Sequence, residues 1–141
     1  MKDEDDLKWA AKNQIPMTTA DSITELQKIK RLAPNMKVLW RLAVKEDAKD
    51  KLSTNFSVKF GDDLLTDQDV HNRMKEIKGM DIKLSGIHFH CGSGKDGSSG
   101  FKRGIAQAQQ SIKIGREYGH PMDTLDIGGG FPSGELHDST V

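Results

Sequence analysis

Hydrophobic residues follow two different spacings along this chain. Residues 38–44 are a mostly apolar run, which is typical of a strand buried on both faces of a parallel sheet, and residues 82–90 are predicted to form the next strand. Elsewhere, apolar side chains recur every three or four residues, which is the spacing of one face of a helix. This pattern predicts three amphipathic helices with apolar faces formed by Leu26, Ile29 and Ala33, by Val70, Met74 and Ile77, and by Phe101, Ile105, Ala108 and Ile112.

Shorter extended segments are predicted at residues 15–19 and 124–127, so strand and helix alternate about four times. This order predicts an α/β fold with a parallel sheet, helices outside and right-handed crossovers. About four βα units make half of a TIM-type (β/α)8 barrel, and a small open sheet is the alternative. No linker divides residues 1–141, which we interpret as a single segment of one domain. The last predicted strand has no helix to cover it, so we expect an internal fragment of a larger barrel.

Local signals mark several of the predicted element ends. Ser22 and Glu25 have the spacing of a capping box, and Thr66 is placed to cap the second helix. The first six residues hold four acids, and we expect them to form a frayed, solvated end.

Composition narrows the class of protein. The chain has 21 basic and 21 acidic side chains, so it has no excess of positive charge that would favour binding to nucleic acid or to an anionic membrane. Mean hydropathy is −0.62, and no apolar run is long enough to span a bilayer. The acidic start does not resemble a secretory signal, and one cysteine excludes an internal disulfide. We therefore expect a cytoplasmic protein.

Two glycine-rich turns follow predicted strands, at the end of a parallel sheet where ligands bind. Glycine lets a backbone approach an anion closely and direct several N–H groups towards it. The two turns could hold a phosphate between them, or each could be only a tight turn. They contain Gly92, Ser93 and Gly94, and Gly128, Gly129 and Gly130.

The first turn also has the glycine spacing of dinucleotide-binding folds, with Gly92, Gly94 and Gly97 between a strand and a helix. That motif requires an acid about 20 residues further on, at the end of the next strand. Asp126 comes later and is followed directly by another glycine cluster. A nicotinamide oxidoreductase is therefore kept only as an alternative. A P-loop is excluded because an aspartate follows Lys95.

His88 and His90 are two residues apart on a predicted strand, so their side chains share a face. Three interpretations stay open: metal ligands, a His90 ring stacked on an aromatic cofactor, and hydrogen-bonded core residues, the last especially for His88. Zinc would need a further ligand, and the candidates have no diagnostic spacing, so we predict no metal. Those candidates are His71, His120 and His137, and Cys91 is nearby but expected on the opposite side of the strand.

Two cations lie in apolar surroundings. Arg41 interrupts a strand, and a buried guanidinium needs either a structural carboxylate or the anionic end of a ligand. Lys59 has apolar neighbours and could form a Schiff base, or it could pack its stem and pair at a surface.

Two motifs together resemble one family. FHCGSG (residues 89–94) followed by LDIGGGFP (residues 125–132) closely resembles the pyridoxal-phosphate decarboxylases with an alanine-racemase-like barrel, in their ornithine decarboxylase branch. The stretches MTTADSITELQKI, VLWRLAVKEDA and LSTNFSVKFG are similar to consecutive pieces of that barrel. The resemblance covers the chain from about residue 7 to its end, and the spacing between the motifs fits the family.

The resemblance implies pyridoxal 5′-phosphate as cofactor. The histidine matching His90 stacks on the pyridoxal ring, Ser93 and the second glycine turn hold the phosphate, and Gly130 matches the main backbone contact. Arg41 matches an arginine beneath the cofactor site. The implied cofactor-binding residues are therefore His90, Ser93, Gly128, Gly129, Gly130 and Arg41.

The resemblance also implies a homodimer, with Lys59 at the dimer interface. Cys91 stands where many relatives have an aliphatic residue, and His88 where many have a small one, and we expect neither change to be damaging. The family's Schiff-base lysine, its acid at the pyridine nitrogen and the Cys-Asp pair of its C-terminal β-domain have no match here. The resemblance thus implies no catalytic residue within this chain, which should be inactive alone.

The function implied for the full-length protein is decarboxylation of L-ornithine to putrescine, a step of polyamine biosynthesis. Another basic amino-acid decarboxylase or a diaminopimelate decarboxylase is an alternative. A further alternative is a non-catalytic paralogue of the antizyme-inhibitor type, which acts by binding antizyme.

Overall fold

The computed structural model describes residues 2–44, 61–90 and 97–129, with side chains in the last range from residue 100 onward. No helix in these ranges is long and apolar enough to cross a membrane. The elements in chain order are α1 (Glu4–Lys12), β1 (Met17–Ala20), α2 (Ile23–Leu32), β2 (Lys37–Leu42), α3 (Asp67–Gly79), β3 (Gly86–Phe89), α4 (Gly97–Glu117) and β4 (Thr124–Asp126).

The four strands form one parallel sheet in the order β1-β2-β3-β4. A helix connects each strand to the next, so the predicted parallel α/β architecture is confirmed. Strands β2 and β3 are central, and β1 and β4 lie at the two edges of this sheet.

One face of the sheet packs against α3 and α4. The Trp40 ring lies 6.0 Å from the guanidinium of Arg73 in α3. Phe89 lies against α4 so closely that a Cβ on Gly104 would be 2.4 Å from its ring. Trp40 is in register with Ile87, two residues before Phe89, so these side chains project to the same face. Residues that alternate with them must project to the opposite face.

The hydrophobic core joins the sheet to its helices, and the predicted helix faces contribute to it. Most members of the three predicted apolar faces are buried, and the three larger residues of α4 are partly buried against them. The least exposed core residues include Leu26, Ile29, Trp40, Leu42, Met74, Ile77, Leu84, Ile87, Phe89, Ala108, Ile114 and Met122.

Both predicted helix caps are present, but only one is reciprocal. The Thr66 hydroxyl accepts the Asp69 N–H, and the Asp69 carboxylate accepts the Thr66 N–H. At α2, Ser22 accepts the Glu25 N–H at 3.2 Å without a return bond from the Glu25 carboxylate. That carboxylate instead pairs with Lys28 at 3.0 Å, which keeps a buried acid compensated.

The acidic start is not frayed, because α1 occupies it, but its four acids are exposed to solvent as predicted. Asp3 caps this helix, with its side chain accepting from the Asp5 N–H. Three acids fill the first turn, where the helix dipole favours negative charge. Leu7 is only 1% exposed, so burial of one apolar side chain ties the helix to the core.

Candidate functional site

Three polar side chains lie side by side across the sheet, on the face opposite the packed helices. Arg41 is in register with His88, and His88 with Asp126. Arg41 follows Trp40 directly, so it projects away from the helices. Each of the three lies within one residue of the end of its strand. The row therefore stands at the carboxyl end of a parallel sheet, where ligands bind in such folds.

His88 and Asp126 form the central contact of this row. His88 Nδ1 lies 3.0 Å from Asp126 Oδ2, and the side chains are 13% and 46% exposed. The distance is that of a hydrogen bond, although the N–H direction is not aligned with the oxygen. The carboxylate can only accept, so the contact favours the imidazole tautomer with hydrogen on Nδ1.

The surroundings of His88 favour its neutral form. Burial lowers the pKa of His88 below its usual value, and this effect outweighs the Asp126 carboxylate, which acts in the opposite direction. The positive charge of Arg41 adds to the lowering of this pKa. The imidazole is thus held uncharged between a cation and an anion.

Asp126 also supports the turn that follows its strand. Its Oδ1 accepts the Gly128 N–H at 2.9 Å, so the two carboxylate oxygens are divided between Gly128 and His88. Gly128 has φ +72°, a conformation that residues with a Cβ rarely adopt. A Cβ there would lie 2.7 Å from His90 Nδ1 and 2.9 Å from the Phe89 carbonyl oxygen. Glycine is therefore required at this position for two reasons: the backbone conformation and the lack of space for a Cβ.

His90 is held by the same turn. Its Nδ1 accepts the Gly129 N–H at 3.3 Å, which leaves hydrogen on Nε2 in the neutral ring. The side chain is exposed at the end of β3. The structure thus presents an imidazole ring at the sheet edge, anchored to the next strand's turn.

The amides of Gly128 and Gly129 are both engaged inside the protein, with Asp126 and His90. A Cβ on Gly129 would meet no atom within 4 Å, so the turn is open on that side. These glycines shape the turn, and their contact with a phosphate stays a prediction.

Several predicted site residues lie outside the described residues. They include the remaining members of the implied phosphate site and the interface lysine: Ser93, Gly130 and Lys59, together with Cys91. Arg41 lies within the described part, in the row with His88, and is partly buried. The structure therefore brings together Arg41, His90 and the second glycine turn.

The described residues contain no group of three side chains placed to hold a metal, and His137 lies beyond them. His71, one of the possible ligands, instead contacts the Tyr118 hydroxyl, with its Nδ1 3.0 Å from that oxygen.

His120 is a core residue. It is 2% exposed, its Nδ1 accepts the Leu84 N–H at 3.1 Å, and its Nε2 lies 3.0 Å from the Met74 carbonyl oxygen. With Nδ1 accepting, Nε2 carries the hydrogen and donates it to Met74. Burial lowers the pKa of His120, which favours the neutral ring, and its two contacts tie the segment just before β3 to α3.

Sequence reasoning missed the part played by Asp126, which entered only as an acid too distant for a dinucleotide motif. Its signal was its position, two residues before a glycine at the end of a strand, where Asp commonly bonds backbone amides. Its second contact, with His88, depends on strand register and has no local signature.

Residues 1–140 match the family model described as "Pyridoxal-dependent decarboxylase, pyridoxal binding domain". Among curated proteins, the chain is 36% identical over 129 residues to antizyme inhibitor 2 of Xenopus laevis and 38% identical over 129 residues to ornithine decarboxylase of Rattus norvegicus. Each alignment covers 92% of this chain and 27% of the relative, so the chain spans about a quarter of their length.

Solved structures agree. The arginine decarboxylase of Paramecium bursaria Chlorella virus bound to agmatine matches with a TM-score of 0.78 and 30% identity, over 97% of this chain and 37% of that one. The ornithine decarboxylase of Entamoeba histolytica matches with a TM-score of 0.70 and 31% identity, over 93% of this chain and 33% of that one. These matches confirm the predicted resemblance, the barrel-type α/β fold and pyridoxal phosphate as cofactor, and they contradict the nicotinamide alternative.

Proposed function

Because this chain belongs to the pyridoxal-dependent decarboxylases, we propose that it forms the phosphate and ring side of the cofactor site in an enzyme that decarboxylates L-ornithine to putrescine. The observation that carries the proposal is the contact of His90 with the glycine turn: Gly128 packs against its ring, and the Gly129 N–H donates to its Nδ1. It sets a flat aromatic ring beside an open glycine backbone at the ligand end of the sheet.

The described residues fit the cofactor in two respects. Gly129 is open, since a Cβ there would meet no atom within 4 Å, so a ligand can approach the backbone of the turn on that side. His90 has an exposed ring anchored at one nitrogen, which suits stacking on a planar heteroaromatic group. Ser93 and Gly130 are proposed to complete the phosphate contacts, with Arg41 beneath the cofactor.

When bound, pyridoxal phosphate accepts the electron pair released when the substrate loses its carboxyl group as carbon dioxide. The residues of this chain would bind and orient the cofactor, with His90 on one ring face and the glycine turn at the phosphate. In this proposal, no residue of this chain holds or moves a proton on the substrate. We propose that such groups are supplied elsewhere in a cytoplasmic homodimer, with Lys59 at its interface.

The choice of ornithine is supported by several ornithine decarboxylases among the curated relatives. Arginine and lysine/ornithine decarboxylases are among the structural neighbours, so substrate choice needs a direct test. The complete gene product carrying these 141 residues would be saturated with pyridoxal phosphate. Carbon dioxide release would then be measured from ornithine, arginine, lysine and diaminopimelate separately. We expect the highest kcat/KM with ornithine, and a higher value with another substrate would overturn that choice.

One finding favours a second candidate function. Antizyme inhibitor 2 of Xenopus laevis and of Homo sapiens are 36% and 33% identical to this chain, a range that overlaps the ornithine decarboxylases. A protein of that type would bind purified antizyme and release no carbon dioxide from any of the four amino acids. Calorimetric titration with antizyme, beside the assay above, separates the two functions.

A further inference from the structure

We propose that His88 is a positioning residue for the cofactor site: through Asp126 it holds the Gly128 turn against His90. The expected effect of His88 on cofactor affinity rests on the proposed function. The contacts that link His88, Asp126, Gly128 and His90 are present in the protein without cofactor.

His88 is well placed to restrain the side chain of Asp126. It lies on the central strand β3, between β2 and β4, and only 13% of its side chain is exposed. Across the sheet it contacts the Asp126 carboxylate, at 3.0 Å. Asp126 belongs to the edge strand β4 and is 46% exposed, so the buried imidazole adds a restraint to a side chain that is otherwise held only through its bond to Gly128.

Asp126 transmits this restraint to the Gly128 turn. A carboxylate is planar, so fixing Oδ2 at His88 also fixes Oδ1. Oδ1 accepts the Gly128 N–H at 2.9 Å, at the first residue of the turn with a positive φ. Rotation of the Asp126 side chain would leave this amide without its partner.

The turn is closely packed against His90 and bonded to it. Gly128 passes so close to His90 that a Cβ would lie 2.7 Å from its Nδ1, and the next amide donates to that nitrogen. A shift of the turn would therefore release the His90 ring. The charged and titratable groups facing His88 are Arg41 from β2, Asp126 from β4 and His90 from its own strand.

The test uses two variants of the complete gene product. His88→Ala removes the imidazole, and His88→Asn keeps an N–H donor near the position of Nδ1. Two quantities are measured: the pyridoxal phosphate dissociation constant of the apoprotein, from cofactor absorbance, and hydrogen exchange by mass spectrometry in the ligand-free peptide covering residues 125–129. We expect His88→Ala to weaken cofactor binding about tenfold, since the polar contact that restrains Asp126 is lost, and to speed exchange in this peptide.

We expect His88→Asn to stay within about twofold of the unmodified protein in affinity and to restore slow exchange, since the lost donor is replaced. His88→Leu removes both ring nitrogens but fills much of the same space, and it should act like His88→Ala because it offers no N–H to Asp126. Since it leaves a smaller cavity than alanine, this variant decides the question if His88→Ala fails to fold.

A matched control is His71→Ala, which removes a histidine contact of the same 3.0 Å length on α3. It should change neither the affinity nor exchange in residues 125–129. Unchanged exchange in both His88→Ala and His88→Leu would overturn the inference, and so would equal effects of Ala and Asn at position 88. If the unmodified protein does not bind pyridoxal phosphate, the proposed function fails, and the exchange data still decide the role of His88.

Discussion

Gly128 and His90 are packed so closely that the glycine has no room for a side chain: a Cβ would lie 2.7 Å from His90 Nδ1. Gly128 also has φ +72°, in the left-handed region. Gly128→Ala should therefore displace the turn and weaken pyridoxal phosphate binding by about tenfold or more, from backbone strain of about 1–2 kcal/mol and the steric contact. Equilibrium titration of the apoprotein with cofactor measures this effect.

The matched control is Gly79→Ala at the end of α3, where a Cβ would meet no atom within 4 Å. It should leave cofactor affinity unchanged and raise stability slightly, by about 0.5–1 kcal/mol. Equal affinities in the two variants would contradict the steric account of Gly128.

His120→Ala should destabilise the fold. The Leu84 N–H would lose its buried acceptor, and a cavity would replace the ring between α3 and β3. The expected loss is about 2–4 kcal/mol, from one unsatisfied donor and the missing volume. Denaturant unfolding of the complete gene product measures it, with His71→Ala as a control at a partly exposed histidine. A loss no larger than in that control would show that the ring is not structurally important.

Stability should fall as the pH drops through the range where an unfolded histidine takes up a proton. Burial lowers the folded-state pKa of both His88 and His120, so below about pH 6.5 the unfolded chain binds more protons than the folded one. The stabilisation is thus fully present above the unfolded pKa and is lost towards the lower folded pKa, at up to about 1.4 kcal/mol per pH unit for each group.

Unfolding midpoints at pH 7.5, 6.5 and 5.5 test this prediction. His88→Asn, which cannot titrate, should reduce the decline between the upper and the lower pH. A midpoint that stays constant, or rises, over this interval would contradict the direction assigned to both groups.

Asp62 joins β2 to α3 through its carboxylate. It accepts from Trp40 Nε1 at 3.0 Å and from Arg73 Nε at 2.8 Å. Asp62→Ala would leave the indole N–H and the guanidinium without this partner, at a cost of about 2–4 kcal/mol. Asp62→Asn keeps one acceptor oxygen and should lose less. Thermal unfolding of the two variants gives the comparison, and equal losses would argue that the hydrogen bond to Trp40 contributes nothing.

The periodic helix faces were predictable from sequence because they depend on local spacing. Val70, Met74 and Ile77 recur at helical intervals, and all three are buried in α3. The Thr66 cap was also predictable, since its partner is three residues away. The acids at the start are exposed as predicted, but the segment is helical and not frayed, because α1 is held by Leu7 and by the favourable placement of acids at a helix N-terminus.

The motif around His90 and the second glycine turn identified the kind of site before any geometry was known, because glycine runs and their spacing are sequence properties. Contacts between strands could not be predicted from the sequence. His88 and Asp126 are 38 positions apart in sequence, and their 3.0 Å contact exists because parallel pairing places them in register.

The sequence by itself determined the alternation of strands and helices, their apolar faces and the residues that mark the ligand end of the sheet. Only the tertiary structure decided that His120 is a core residue, with partners 36 and 46 positions away, and that Asp126 links His88 to the Gly128 turn. The physical reason is range: propensity, capping and periodicity act within a few residues, whereas register and burial depend on how distant segments pack.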